Sequence, residues 1–333
     1  MGHAALLLRT ALAPALWGTT YLVTATLLPP GHPLWAATLR ALPAGLLLIA
    51  LRPGLPRGSW WWRSLLLGTL NIGAFFALLF VSAERLPGGV AAILGSVQTL
   101  LVVVLAATLL GERARPAQVV SALVGMVGVA LLVLQSSASL DPVGVVAGLG
   151  TALTMAFGMV LTRRWGLPPG VNSLTATAWQ LLGGSLALIL LAGLVEGAPP
   201  AVDLRAVAGF AWLSVLGGAF AYAVFFAGLR RLPAAATSLL ALVSPLVATL
   251  LGWAVLDQAL TAPQLVGAAL VLGAVVAGQR AAAKAPQPAR QRHASSPAPG
   301  DQQVDPDEVV VGSVVESRQR VLAGRPEHAG TQR

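Results

Sequence analysis

Residues 80–100 read FVSAERLPGGVAAILGSVQTL, and residues 226–246 read FAGLRRLPAAATSLLALVSPL. Laid over one another at an offset of 146 residues, they match at Phe80 and Phe226, Leu86-Pro87 and Leu232-Pro233, Leu94 and Leu240, Val97 and Val243, and Leu100 and Leu246. The register continues without a gap, so that Leu110 falls on Leu256, Gln118 on Gln264, Val120 on Val266 and Ala122 on Ala268. Near the start of the chain the offset becomes 140, placing Trp17-Gly18 on Phe157-Gly158 and Arg40 on Gln180. Leu and Ala recur by chance in any two apolar stretches. A shared Leu-Pro, a shared Gln and coincident breaks are harder to obtain that way, so the chain reads as an internal duplication.

What is duplicated is a set of apolar segments. The 333 residues are 56% hydrophobic and 10% charged, with a mean hydropathy of +0.79; a soluble domain carries roughly a quarter charged residues. A membrane helix needs about 20 largely apolar residues. Ten such stretches are legible, at 6–28, 34–51, 64–83, 88–109, 116–135, 143–163, 172–195, 206–229, 234–255 and 261–279. Between them lie breaks such as Pro29-Pro30-Gly31, Pro53-Gly54, Pro87-Gly88, Asp141-Pro142 and Pro168-Pro169-Gly170. The expected fold is an all-α integral membrane protein with two five-helix repeats, at 1–136 and 137–280. The first segment has a weak basic start at Arg9 and no cleavage pattern, so it reads as a membrane helix and not as a signal peptide. Residues 281–333 turn polar and Pro-rich, and disorder is expected there, with 308–322 as a candidate partner-binding element.

An odd number of spans per repeat forces the halves into opposite orientations, and charge provides a separate check. Loops on the cytoplasmic side are enriched in Arg and Lys. With the N-terminus inside, the inner loops hold Arg52, Arg57, Arg63, Arg113, Arg115, Arg163, Arg164, Arg230 and Arg231, and the outer loops hold only Arg85 and Arg205 among basic residues. The reversal is visible at matched positions, where Glu84-Arg85 falls outside and Arg230-Arg231 inside. Both termini are therefore expected in the cytoplasm of a bacterial-type inner membrane. The formal charge of +9 marks topology and not a nucleic-acid surface. Inverted repeats are the architecture of many secondary transporters, whose solute site lies near the midplane between the halves.

Over residues 5–280 the chain resembles the EamA-type members of the drug/metabolite transporter superfamily. The resemblance rests on Trp17-Gly18, Arg40, the Ser82-Ala83 to Leu110-Gly111-Glu112-Arg113 stretch, its counterpart from Ser244-Pro245 to Leu256-Asp257-Gln258, and the Gly-rich last span of each half. It implies ten spans, a cavity lined mainly by spans 1, 3, 4, 6, 8 and 9, cytoplasmic termini, and export of amino acids or related metabolites. Two departures stand out. Thr99 replaces a usual Pro, so a strong kink is expected only in the ninth span, and Asp257-Gln258 stands where the family has Glu.

Polar groups inside a membrane are costly and therefore informative. Arg40 lies about six residues into the second span, with no acid on its own helix. It is a candidate contact for a substrate carboxylate; alternatively it pairs with Glu84 or snorkels to headgroups. Swapping the two charges would be tolerated by a pure ion pair and not by a substrate contact. Tyr21, Asn71, Gln98, Gln180, Tyr222 and Ser244 also fall within spans, each able to bind solute or a neighbouring helix. Pro245 is expected to kink the ninth span and to leave the carbonyl of Ala241 without its partner. Trp17 and Trp179 are candidates to face the cavity and select apolar or aromatic solutes. Trp212 and Trp253 suit lipid or packing, and Trp60-Trp61-Trp62 suits an interfacial belt.

Several chemistries find no residues. Cysteine is absent, and the four histidines lie outside the apolar stretches, so no metal site or cofactor is expected. There is no phosphate loop for ATP. The six acids before residue 281 all fall at loops or span edges, which leaves no mid-span carboxylate for a proton relay or for enzyme chemistry. The expected function is transport of a small solute across the bilayer, with a channel-like facilitator or a non-transporting receptor as the alternative. The Gly-rich faces of the fifth and tenth spans suit packing either within the bundle or between the subunits of a homodimer.

Overall fold

The computed structural model describes residues 2–85, 94–113, 115–133, 141–257 and 260–283, without the side chains of Tyr21, Phe80, Ala83, Glu84 and Val133. Described residues are helical or in short connections, with no strand among them. Span 1 is His3–Gly18 and Thr20–Leu27, span 2 Pro33–Leu51, span 3 Trp60–Gly68 through Ala74–Arg85, span 4 Leu94–Leu110 and span 5 Pro116–Val133. Span 6 is Pro142–Trp165, span 7 Ser173–Val195, span 8 Leu204–Ser214 through Ala221–Leu229, span 9 Ala234–Leu240 and Val243–Leu256, and span 10 Ala262–Ala283. Among the described residues, eight of these helices are long and apolar enough to cross a membrane, and spans 4 and 5 are shorter apolar helices. Leu46, Val104, Val127, Leu190 and Val266 are all more than half exposed, a surface suited to lipid and not to water. The expectations for 281–333 and 308–322 lie outside the described residues from 284 onward.

The repeat is written into the backbone at the 146-residue offset. Spans 3 and 8 each widen into a π turn, at Thr69–Gly73 and Val215–Phe220. Spans 4 and 9 each end on a left-handed residue, Gly111 at φ 65° and Asp257 at φ 52°. Glycine takes that conformation freely, and Asp is one of the few side chains that tolerate it. Asp257 therefore stands for Gly111, not for Glu112, whose counterpart Gln258 lies outside the described residues. Spans 5 and 10 open on the same device: Oε1 of Gln118 accepts from the Arg115 N–H, and Oε1 of Gln264 accepts from the Thr261 N–H.

Two expectations about kinks need correction. Span 4 is interrupted at Val97 without a proline, next to the place where span 9 turns at Ala241-Leu242. The Ala241 carbonyl is not orphaned either: it accepts from the Ser244 N–H at 3.1 Å. The chain tightens to a three-residue bond where Pro245 cannot donate.

Close approach between halves depends on small residues. A Cβ on Gly184 of span 7 would lie 2.6 Å from Cβ of Ile72 in span 3, and one on Gly218 of span 8 would lie 2.7 Å from Cβ of Ala44 in span 2. These two contacts exchange under the repeat, since Ala44 corresponds to Gly184 and Ile72 to Gly218. Spans 5 and 10 meet backbone to backbone at Gly128 and Gly267, beside a smaller apolar cluster of Ala122, Val129, Leu132, Leu239, Leu242, Leu246 and Val271. Small residues let van der Waals packing hold membrane helices together where no hydrophobic driving force exists.

Candidate solute site between the two halves

The π turns carry the polar centre of the molecule. On one side, Arg40 of span 2 donates from Nη2 to the Gly217 carbonyl at 3.1 Å and from Nη1 to Thr20 Oγ1 at 3.3 Å. Trp17 of span 1 donates its indole N–H to the same Gly217 carbonyl at 2.9 Å. Phe76 lies under the Arg40 guanidinium at 5.4 Å, and Trp17 packs on Tyr222 and Phe225 with ring centroids 5.1 and 5.0 Å apart. On the other side, Asn71 of span 3 donates to Gln180 Oε1 of span 7 at 3.0 Å and to Thr162 Oγ1 of span 6 at 3.2 Å. The repeat relates these sides residue by residue: Arg40 to Gln180, and Gly217 to Asn71. Arg40 and Gln180 are buried, as are Asn71 and Tyr222.

The structure thus brings together Trp17, Arg40 and Tyr222 in one half-site, and Asn71 and Gln180 in the other. It sets other candidates apart. Trp179 donates to the Gly54 carbonyl at 2.7 Å and packs near Trp60, toward the arginine-rich end. Gln98, Ser244 and Pro245 are half-buried on spans 4 and 9, with the Ser244 carbonyl against Gly18 of span 1. Buried Thr99 Oγ1 and Ser82 Oγ lack a partner among the described residues. The side chains of Tyr21 and Glu84 lie outside the described residues, and the Arg40–Glu84 pair with them. Trp212 and Trp253 are exposed on the outside of the bundle, and Trp61 and Trp62 are exposed beside Arg63.

Two cavities lie at opposite ends. One of about 470 Å³ is lined by Thr26, Leu27, Pro29, Asp203, Arg205 and Ala206. Thr26 stands six residues beyond Thr20 on one helix, or about 9 Å of rise from the Arg40 half-site. The other, of about 740 Å³, is lined by Arg52, Gly54, Arg57, Trp60, Thr175 and Trp179 at the arginine-rich end.

The arginine-rich end also holds an interlock that sequence reasoning missed. Arg163, at the end of span 6, pairs with Glu112 at 2.7 Å and donates to the carbonyls of Leu229 and Arg230 at the end of span 8. Glu112 in turn accepts from the Ala234 N–H at the start of span 9. Four span ends converge on one ion pair. Beside it, Arg230 donates to Ser173 Oγ, and burial pushes its guanidinium down to about 10, so it stays charged at neutral pH. The Glu112-Arg113 stretch was visible as a loop motif, but its partner is distant in sequence. The Gly217 carbonyl was likewise invisible, because a backbone acceptor has no residue signature.

The sequence pattern of the EamA-like transporter family matches residues 4–134 and 142–277. Protein PecM of Dickeya dadantii (strain 3937) is 45% identical over 264 residues, covering 79% of this chain and 89% of the relative. A protein of Salmonella typhimurium named "Probable amino-acid metabolite efflux pump" is 26% identical, over 78% of this chain and 90% of its own length. A crystal structure with 21% identity superposes with a TM-score of 0.74, over 89% of this chain and all of the other, and shows the shared fold. With both halves matched in turn and a close relative aligned along most of its length, the chain belongs to the EamA-like transporter family.

Proposed function

We propose that this transporter exports a small metabolite, an amino acid or a related compound, across the bacterial inner membrane by alternating access. The observation that carries the reading is the pairing of Arg40–Gly217 with Gln180–Asn71 at the two π turns. Intramembrane polar groups gather where the repeats meet, at widened turns of the kind often found at functional sites. The Glu112–Arg163 interlock supports a closed arginine-rich end, which the charge rule assigns to the cytoplasm along with both termini. The cavity beside Thr26 and Arg205 supports a path toward the opposite face. The name of the Salmonella relative supports amino-acid metabolites as the solute class.

Purified protein in liposomes tests the mechanism. Saturable counterflow, in which unlabelled internal solute accelerates entry of label, is expected. Unsaturable flux without counterflow would replace the carrier with a channel-like facilitator. An overexpressing strain grown on toxic amino acids and metabolite analogues reads solute class and direction, with resistance as the expected result.

A further inference from the structure

Arg40 carries its charge where nothing in the described protein neutralises it. It is 6% exposed, and it hydrogen-bonds two neutral oxygens only. Its Nε has no partner among the described residues. The two ion pairs among the described residues, Arg85–Asp141 and Arg163–Glu112, both lie at span ends. An arginine held inside a membrane without a counter-charge is costly, and the ring of Phe76 compensates it only in part. The matched half-site pays no such penalty, since Gln180 is neutral and bonded to Asn71. The cation is buried among the rings of Trp17, Phe76 and Tyr222, a setting whose chemistry suits a negative group on an apolar body.

A zwitterion fits less well. Its ammonium needs a counter-charge, and the six acids before residue 281 fall at loops or span edges. The Gly217 carbonyl beside Arg40 already takes two donors.

We infer that the solute is an organic anion: a carboxylate or similar acid on an aromatic or apolar body without a free amine, bound through Arg40. Net transport then moves one negative charge per cycle with no proton partner. This rests on the carrier reading and narrows its solute from amino acids and related compounds to related acids without an amine. The loaded site is neutral and crosses the membrane field without electrical work. The empty site returns with the Arg40 charge, so voltage acts on that return step alone. Exchange of anion for anion is therefore insensitive to voltage, and net flux is sensitive to it. In a cell with a negative interior, the anion leaves.

Full-length protein in liposomes tests this with L-phenyllactate, L-phenylalanine and phenethylamine, which share a ring and differ in charge. Phenyllactate is expected to show saturable flux, with homoexchange unchanged by a valinomycin–potassium potential. Its net uptake should follow an interior-positive potential toward an accumulation of about 50-fold at about 100 mV. A pH gradient alone should add nothing beyond the leak of protein-free liposomes. Arg40→Gln should abolish the potential-driven accumulation, and Arg40→Lys should keep it at weaker apparent affinity. The wild-type measurements decide the matter even where a variant fails to fold. Saturable flux of phenylalanine or phenethylamine but not phenyllactate overturns the anion and leaves the carrier standing. So does phenyllactate flux indifferent to potential or driven by a pH gradient. Absence of saturable flux for all three overturns the anion proposal, and the carrier reading then rests on the resistance screen.

Discussion

The two half-sites occupy equivalent places in equivalent repeats, yet they are built from different chemistry. In one, a charged side chain reaches a bare backbone carbonyl, and a tryptophan shares the same acceptor. In the other, one amide donates to a second amide and to a threonine, with no charge on any partner. The neutral side carries no charge: the Asn71 amide N–H groups reach across spans 3, 6 and 7, and Asn71 Oδ1 lacks a partner among the described residues. The charged side holds a buried guanidinium whose partners among the described residues are neutral oxygens. Duplication supplied the same scaffold twice, and side-chain divergence left one copy with a neutral amide cluster and the other with a buried charge.

The sharpest way to break this comparison is to make the two sides alike. Arg40→Gln is expected to lower transport about 100-fold, the loss of about 3 kcal/mol from a buried charged contact. The same change should leave the melting temperature in detergent level or higher, because an uncompensated buried cation is removed. A transport loss accompanied by unfolding would instead assign Arg40 to the scaffold.

The scaffold around the sites comes next. Gly184→Ala and Gly218→Ala each place a methyl inside a helix contact and should destabilise by about 1–3 kcal/mol. Gly184 should suffer more, because its new Cβ would meet the Gly68 carbonyl at 2.6 Å as well as Ile72, and backbone cannot step aside. Equal melting-temperature losses for the two would weaken the claim that the neutral side is the more tightly built.

A smaller effect is expected from the amide pair. Asn71→Ala, Gln180→Ala and the double variant, compared by thermal unfolding, should give a coupling of about 0.6–1.7 kcal/mol. Transport should change only a few-fold. No coupling would mean that the pair merely coincides in space.

The interlock is about a quarter exposed at each partner, so Glu112→Gln should weaken closure by about 1 kcal/mol. The chain has no cysteine, so a single Leu232→Cys reports opening by thiol labelling without background. Faster labelling in the Glu112→Gln background is the expected outcome.

The smallest effect lies at the opposite end. The N–H groups of Gly144 and Val143, with Arg85, hold the Asp141 carboxyl below the usual carboxylate range. A depressed folded value means the contribution is present above about pH 4 and fades as the pH falls below it. A slight drop in melting temperature at acid pH, absent in Asp141→Asn, checks this.

Much of this molecule is legible in its one dimension. Lipid cannot hydrogen-bond a backbone, so each crossing must be a helix and each helix an apolar run. The runs, the 146-residue register and the arginine asymmetry therefore followed from residue identity alone. Arg40 was also visible, because a charge in an apolar stretch has few explanations. Other features were decided in three dimensions. The π turns depend on how helices crowd one another, and no residue type encodes them. The acceptor at Gly217 is backbone, which every residue shares. Trp179 sits one residue before Gln180 yet serves the arginine-rich end, because neighbours on a helix point about 100° apart. The Glu112–Arg163 interlock joins four span ends that only packing brings within reach. Sequence determined which segments are apolar enough to enter the membrane, because that choice is made segment by segment against lipid. Tertiary structure decided which polar groups meet, because that choice is made between helices, where register and small-residue contacts set every distance.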